Sequence, residues 1–218
     1  MTHRLALLVI AIACLLTPVA GLSGSSHWLY VDTEDYTLSL MDGSREVRRL
    51  HGISIGRGGT ALYRRRGDEQ TPIGAYRIAW INEDSRFGLF LGLSYPTQAQ
   101  ARQAYETGAI DGTAYEAILL ALERDQLPPQ DTALGGHIGI HGLGQGDRGV
   151  HSQLNWTEGC VAVTNEQIKA IRAWVEVGDR VVIDGDKAPR PEDRDRTARR
   201  SHQESLGYDA PATIEGGH

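Results

Sequence analysis

The sequence predicts a mainly β protein with short helices and a helical insertion around residues 97–127. Three observations carry this. Apolar and polar residues alternate over Leu29–Val31, Tyr36–Leu40 and Val47–Ile55, the period of half-buried strands. Turn signatures, Met41-Asp42-Gly43-Ser44 and Thr71-Pro72-Ile73-Gly74, stand beside such runs, as hairpins and strand entries require. The one long block rich in Ala, Gln, Glu and Leu with helical spacing is residues 97–127.

Taken in order, the first two runs and the third form strands joined through the Asp42-Gly43 turn. Ala75–Ile81 is the next strand, and "SRFGLFLGLSYP" (85–96) is a further strand-like run. Within 97–127, Tyr115, Ile118, Leu119 and Leu122 share a helix face, and Pro128-Pro129 ends the block. It reads as an insertion between strands, either a lid over a cleft or a helix packed on the sheet for stability alone. "GGHIGIHG" (135–142) predicts a short strand with His137, Gly139 and His141 on one face. A loop follows through "LGQGDRGVHSQLN" (143–155), then the strand-like "WTEGCVAV" (156–163). Thr164 and Gln167 form a capping box that starts a helix, with Ile168, Ile171 and Trp174 as its apolar stripe. Arg180–Ile183 returns as a strand. From Asp186 the chain is charged, Pro-containing and nearly free of large apolar residues, which predicts a disordered tail over 186–218.

Composition sets the outer bounds. With 218 residues, 40% hydrophobic, the chain can build one domain with a real core. A net charge of -6 and no basic stripe argue against nucleic acid as a partner. The start, "MTHRLALLVIAIACLLTPVAGLSGSS", has Arg4, an apolar run from Leu5 to Leu16 and cleavage points at Ala20 or Gly21. That is the layout of a secretory signal over 1–21, with a run short for a bilayer span. An uncleaved anchor, or a lipoprotein through Cys14, are the alternatives. The expectation is export to the periplasm or cell envelope. Once 1–21 is removed, Cys160 is the sole thiol and can form no internal disulfide. A lone thiol in an oxidising compartment either works or lies buried and inert.

A working thiol needs a base. His141 is the candidate, with His137 and His151 as rivals. Gly159 before Cys160 removes side-chain bulk, so the amides around Gly159 and Cys160 read as oxyanion donors. The residues therefore suggest an exported Cys/His acyl-transfer site, against a plain core cysteine. Zinc is not expected: along a strand, His137 and His141 would stand about 13 Å apart, too far to share an ion bound at about 2.1 Å. No metal or cofactor is called for.

Two segments together, "IHG" (140–142) and "TEGCVAVT" (157–164), resemble the L,D-transpeptidase catalytic-domain (YkuD-type) family. "TPIGAYRI" (71–78), "SRFGLFLGLSYP" and "GGHIGIHG" extend the resemblance over residues 28–184. It implies a β-sandwich of mixed strands with the cysteine in a cleft. It also implies Cys160 as nucleophile and His141 as general base, with Gly142 orienting His141 through its carbonyl. Gly159 and the Cys160 amide would form the oxyanion hole, Thr157 would support the loop, and Glu158 would lie in it.

The implied substrates are peptidoglycan stem peptides: a thioester forms with loss of terminal D-Ala, and an amine, on another stem or on a lysine-bearing wall protein, accepts the acyl group. Glu158 and Ala162 depart from the family's usual His and Arg or Asn. They keep open a thiol hydrolase (L,D-carboxypeptidase or amidase-like) and a non-catalytic peptidoglycan-binding module. The enzyme readings expect a thiol of depressed pKa, the module an unreactive one. His137, His151 and Trp156 are candidate substrate contacts, or respectively a pocket filler, a solvated loop residue and a packing residue. Arg64, Arg65 and Arg66 form either a solvated charge run or a fork for stem carboxylates, and Tyr95 needs no role of its own. A monomer is expected.

Overall fold

A computed structural model describes residues 26–185; the expected signal (1–21) and tail (186–218) lie outside the described residues. The chain opens with a meander, β1 (His27–Asp32), β2 (Thr37–Asp42) and β3 (Arg45–His51). β4 (Thr60–Ala61) and β5 (Thr71–Pro72) form a small parallel pair. The long β6 (Gly74–Ser85) turns back into β7 (Gly88–Leu93). Then come α1 (Gln98–Glu106), α2 (Gly112–Glu123), β8 (Gly139–His141), α3 (Arg148–Gln153), β9 (Val161–Ala162), α4 (Asn165–Arg172) and β10 (Arg180–Asp184).

Eight strands run in the order β3-β2-β1-β10-β6-β7-β8-β9. β1 with β10 and β8 with β9 are parallel, and the other pairs in this sheet are antiparallel. The two ends of this order meet. Just past β3, Ser54 bonds Ala162 of β9 in both directions, at 2.9 and 2.7 Å. The sheet thus curls over one core in which Leu29 and Val31, Leu38 and Leu40, Ile78, Leu91, Ile140 and Val161 are all buried. β6 accommodates the curl: its pairing with β7 shifts register twice, and such irregularities bend and twist a strand. The mainly β, mixed-strand fold is the one the sequence predicts.

The insertion is two helices, not one. Thr97 and Gln100 cap α1, and Asp111 caps α2 after a break through Gly108 at φ +69°. Ala101, Ala104 and Ile118 are buried, while Tyr115 and Leu122 pack half-buried on the core. Buried Gln100 donates to Leu62 O (3.0 Å), Ile73 O (3.1 Å) and Tyr76 Oη (2.6 Å), which fixes α1 beside β5 and β6. Neither helix lines the cleft that holds Cys160, so the packing role fits and the lid role does not. The segment 143–155 is not wholly loop either. Asp147 caps the short α3, which has only six residues with Gly149 among them and so leaves no periodic apolar signal. α4 carries the predicted capping box, with Ile168 and Ile171 buried. Trp174 falls beyond its last turn and stacks on His27 at 3.9 Å.

Candidate active site

Parallel pairing of β8 with β9 sets the site. Ile140 faces Val161 and His141 faces Ala162 across the ladder. Cys160 immediately precedes β9 and lies half-buried at the sheet edge. Both His141 and Cys160 line one open cleft of about 900 Å³.

His141 is held from three sides. Its Nδ1 lies 2.7 Å from the Gly142 carbonyl, an acceptor only, so Nδ1 carries the proton and Nε2 is left as a base. Phe87, on the β6–β7 turn, stacks on the ring at 4.0 Å, and Trp156 meets it edge-on at 5.7 Å. The residue is 2% exposed. Burial pushes its pKa down to about 4, against the pull of the Gly142 carbonyl. Asn165, the first residue of α4, anchors the backbone that follows. Its Oδ1 accepts from Leu143 N (2.8 Å) and Gly144 N (2.9 Å), and its Nδ2 donates to Gly144 O (2.8 Å). Gly142, which supplies the orienting carbonyl, could carry no side chain: a Cβ would sit 2.8 Å from both Asn165 Oδ1 and Phe87 O.

Cys160 sits at the end of a tight loop. Thr157 Oγ1 donates to Cys160 O (2.6 Å) and accepts from Gly159 N (3.2 Å). The Gly159 amide is therefore engaged, and the expectation that it faces a substrate carbonyl needs correction: the Thr157 hydroxyl takes it. The thiol donates to His137 O at 3.5 Å. Burial pushes the thiol up to about 11; a backbone contact at Gly139 and the charge of Arg64 pull the other way. The expected depressed value is absent here because desolvation outweighs the nearby cations. At neutral pH the pair rests as thiol and neutral imidazole.

The family model of the L,D-transpeptidase catalytic domain (YkuD) matches residues 26–183. The chain belongs to this family. Among solved structures, a point mutant of the helical cell shape determining protein Pgp2 from Campylobacter jejuni superposes with a TM-score of 0.52 at 16% identity, over 85% of this chain and 56% of that one. Bd1075 from Bdellovibrio bacteriovorus gives 0.48 at 18% identity, over 82% and 56%. An L,D-transpeptidase from Mycobacterium smegmatis gives 0.41 at 13% identity, over 74% and 60%. The chain thus spans little more than half the length of these proteins. Comparison with curated protein sequences finds no match.

Within this L,D-transpeptidase domain His137, Trp156, Thr157 and Glu158 line the same cleft as Cys160 and His141, and His151 does not. His137 does not share a strand face with His141: β8 begins at Gly139, and His137 takes φ +54°. Its carbonyl meets the thiol while its exposed ring meets Trp80 edge-on at 6.4 Å. His151 is neither solvated nor in the cleft. It is 6% exposed on α3, and its Nδ1 accepts from Trp156 Nε1 at 3.3 Å. It thus props the tryptophan that walls His141. Trp156 and the exposed Glu158 both line the cleft. Among the described residues no cluster of three or more His, Cys, Asp and Glu is gathered for a metal ion.

The arginine run divides. Arg65 is exposed, whereas Arg64 is 6% exposed and lines the cleft with Arg66. Tyr95 is fully buried and donates to Leu134 O at 3.2 Å. Phe87, Asn165 and the burial of Arg64 escape sequence reasoning. Only Asn165, directly after the predicted N-cap, stood at a position with a readable local role.

Proposed function

We propose that this domain is an exported cysteine acyltransferase that works on peptidoglycan stem peptides as an L,D-transpeptidase. The observation that carries this is the His141 ring, held by the Gly142 carbonyl so that Nε2 is a free base in the cleft shared with Cys160. Membership of the L,D-transpeptidase family supports the substrate class, and the signal-like residues 1–21 support a periplasmic or envelope location.

The chemistry follows from two neutral groups. His141 Nε2 takes the Sγ proton as sulfur bonds to the carbonyl carbon of the third stem residue. The resulting oxyanion is met by the Cys160 amide, since Thr157 occupies that of Gly159. The carbon–nitrogen bond to terminal D-Ala then breaks, and His141 returns its proton to the departing nitrogen. A thioester remains on Cys160. An amine from a second stem or a wall-protein lysine attacks it, gives its proton to His141 and restores the thiol. Glu158, exposed at the cleft, would attract a cationic acceptor towards it. No metal or cofactor enters these steps, and the domain acts as a monomer.

The test is intact-mass and product analysis with a disaccharide-tetrapeptide, for the wild type and Cys160→Ala. An acyl adduct with D-Ala release, absent in the variant, and a cross-linked dimer are the expected results. Tripeptide alone would replace the transferase with a hydrolase. Peptidoglycan affinity without adduct or turnover would leave only a binding module.

A further inference from the structure

Arg64 is the charge in the cleft wall that the fold has taken out of water. It is 6% exposed, while the other cleft-lining charges, Arg66, Arg86, Asp131 and Glu158, are exposed and Glu69 is half-exposed. Its guanidinium fills a slot made by two glycines. A Cβ at Gly159 would lie 2.6 Å from Nη1 and 3.3 Å from Cζ; one at Gly135 would lie 3.8 Å from Cζ. Both glycines adopt left-handed φ, +122° and +70°.

Its charge is only partly matched. Asp68 is 3.6 Å from Nε, beyond hydrogen-bond range, and Nε is buried without a hydrogen-bond partner. The Asp68 carboxylate already accepts from Arg65 N (2.6 Å) and Gln70 N (3.0 Å), and it is a quarter exposed. An isolated buried cation is costly unless a counter-charge completes it. Nε is closed to solvent and Nη1 lies beside Gly159.

We propose that Arg64 is a positioning residue for the nucleophile. Set against the Gly159–Cys160 backbone, it is a fixed positive charge whose counter-charge is completed when Cys160 becomes a thiolate or its adduct bears an oxyanion. This rests on Cys160 being the nucleophile. The remaining groups that act on Cys160 are weaker in water: Arg86 and Glu158 are exposed and screened by salt. His137 touches the thiol only through its carbonyl, and His141 is neutral at working pH.

The experiment titrates Cys160 by the ¹³Cβ shift of labelled cysteine, alongside iodoacetamide alkylation, in wild type, Arg64→Met, Arg64→Lys and Asp68→Asn. Arg64→Met raises the midpoint by about one pH unit. Its alkylation at pH 8 slows by only about threefold, because a more basic thiolate is also a better nucleophile. Arg64→Lys keeps the charge and stays near the wild-type midpoint. Asp68→Asn removes the partial counter-ion and lowers the midpoint. A wild-type midpoint in Arg64→Met, or a lysine variant displaced as far as methionine, overturns the proposal. If Arg64→Met does not fold, the sign of the Asp68→Asn shift decides, and an unchanged or raised midpoint counts against it. No stem peptide is used, so displaced midpoints without turnover would sink the substrate reading alone. Turnover with unmoved midpoints would sink this proposal alone.

Discussion

The resting protonation state of the Cys160–His141 pair is open to a quantitative test. Burial puts the thiol at about 11 and the imidazole at about 4. At pH 7 a thiol of ordinary pKa 9.0 is about 1% thiolate, and one at 11 about 0.01%. The hundredfold loss in population is partly offset by nucleophilicity, since reactivity rises with basicity at a Brønsted slope of about 0.5. Cys160 should therefore alkylate about tenfold more slowly than N-acetylcysteine at neutral pH.

The assay is the second-order rate with iodoacetamide from about pH 6 to 10, in wild type and His141→Gln. The expected profile climbs about tenfold per pH unit with no plateau, because the imidazole does not hold the proton in the free protein. His141→Gln should leave that profile in place while abolishing turnover on stem peptides, where His141 must act as base. A plateau between about pH 6 and 8, removed in His141→Gln, would reveal a thiolate–imidazolium pair. It would refute the argument that desolvation governs both groups.

Three further outcomes follow from the same geometry. His141 is held below its ordinary 6.5, so the fold favours its neutral form; that stability is full above about pH 6.5 and is lost as pH falls toward 4. Urea unfolding at pH 7.5 and 4.5 should show wild type losing about 2–3 kcal/mol more than His141→Gln, and parallel losses would contradict it. Gly159→Ala drives a Cβ to within 2.6 Å of Arg64 Nη1 and 2.7 Å of Gln70 O at φ +122°. It should cost about 2–4 kcal/mol in chemical denaturation. Asn165→Ala frees two amides beside Gly142 and should cost about 2–3 kcal/mol. It should also lower D-Ala release more than tenfold while leaving Cys160 alkylation unchanged; unaffected release would show that the turn holds itself.

Legibility followed the range of the interactions. The alternating runs and the Asp42-Gly43 turn located β1 to β3 to within about four residues, and the Thr164–Gln167 capping box located the start of α4, because both are local devices. That Cys160 and His141 share a cleft was suggested by the resemblance of their two motifs to the family, whereas the residues alone left His137 and His151 as rivals. Failures came where a non-local contact or a single backbone angle decides. His137 leaves the strand through φ +54°, which nothing in "GGHIGIHG" announces. His151 looks like a loop residue until α3 turns it inward against Trp156. Arg64 sits in a run of three arginines that reads as solvated, and its burial depends on glycines about 70 and 95 positions away in sequence.

The parallel register also places Ala162, which the sequence could treat only as a lost substrate anchor. Side chains alternate along a strand, so Gly139 and His141 of β8 point one way, as do Cys160 and Ala162 about β9. Ile140 and Val161, both fully buried, fill the core on the other face. On the site face the base and the nucleophile stand on a diagonal, and the other two corners are Gly139 and Ala162. Ala162 is paired with His141 on one side, bonded to Ser54 on the other and fully buried. A Cβ at Gly139 would run into the Phe90 ring. A side chain at Gly139 would have to displace that ring. The glycine at 139 thus leaves room for the Phe90 ring beside the site, and the cation this cleft holds out of water, Arg64, comes from another segment.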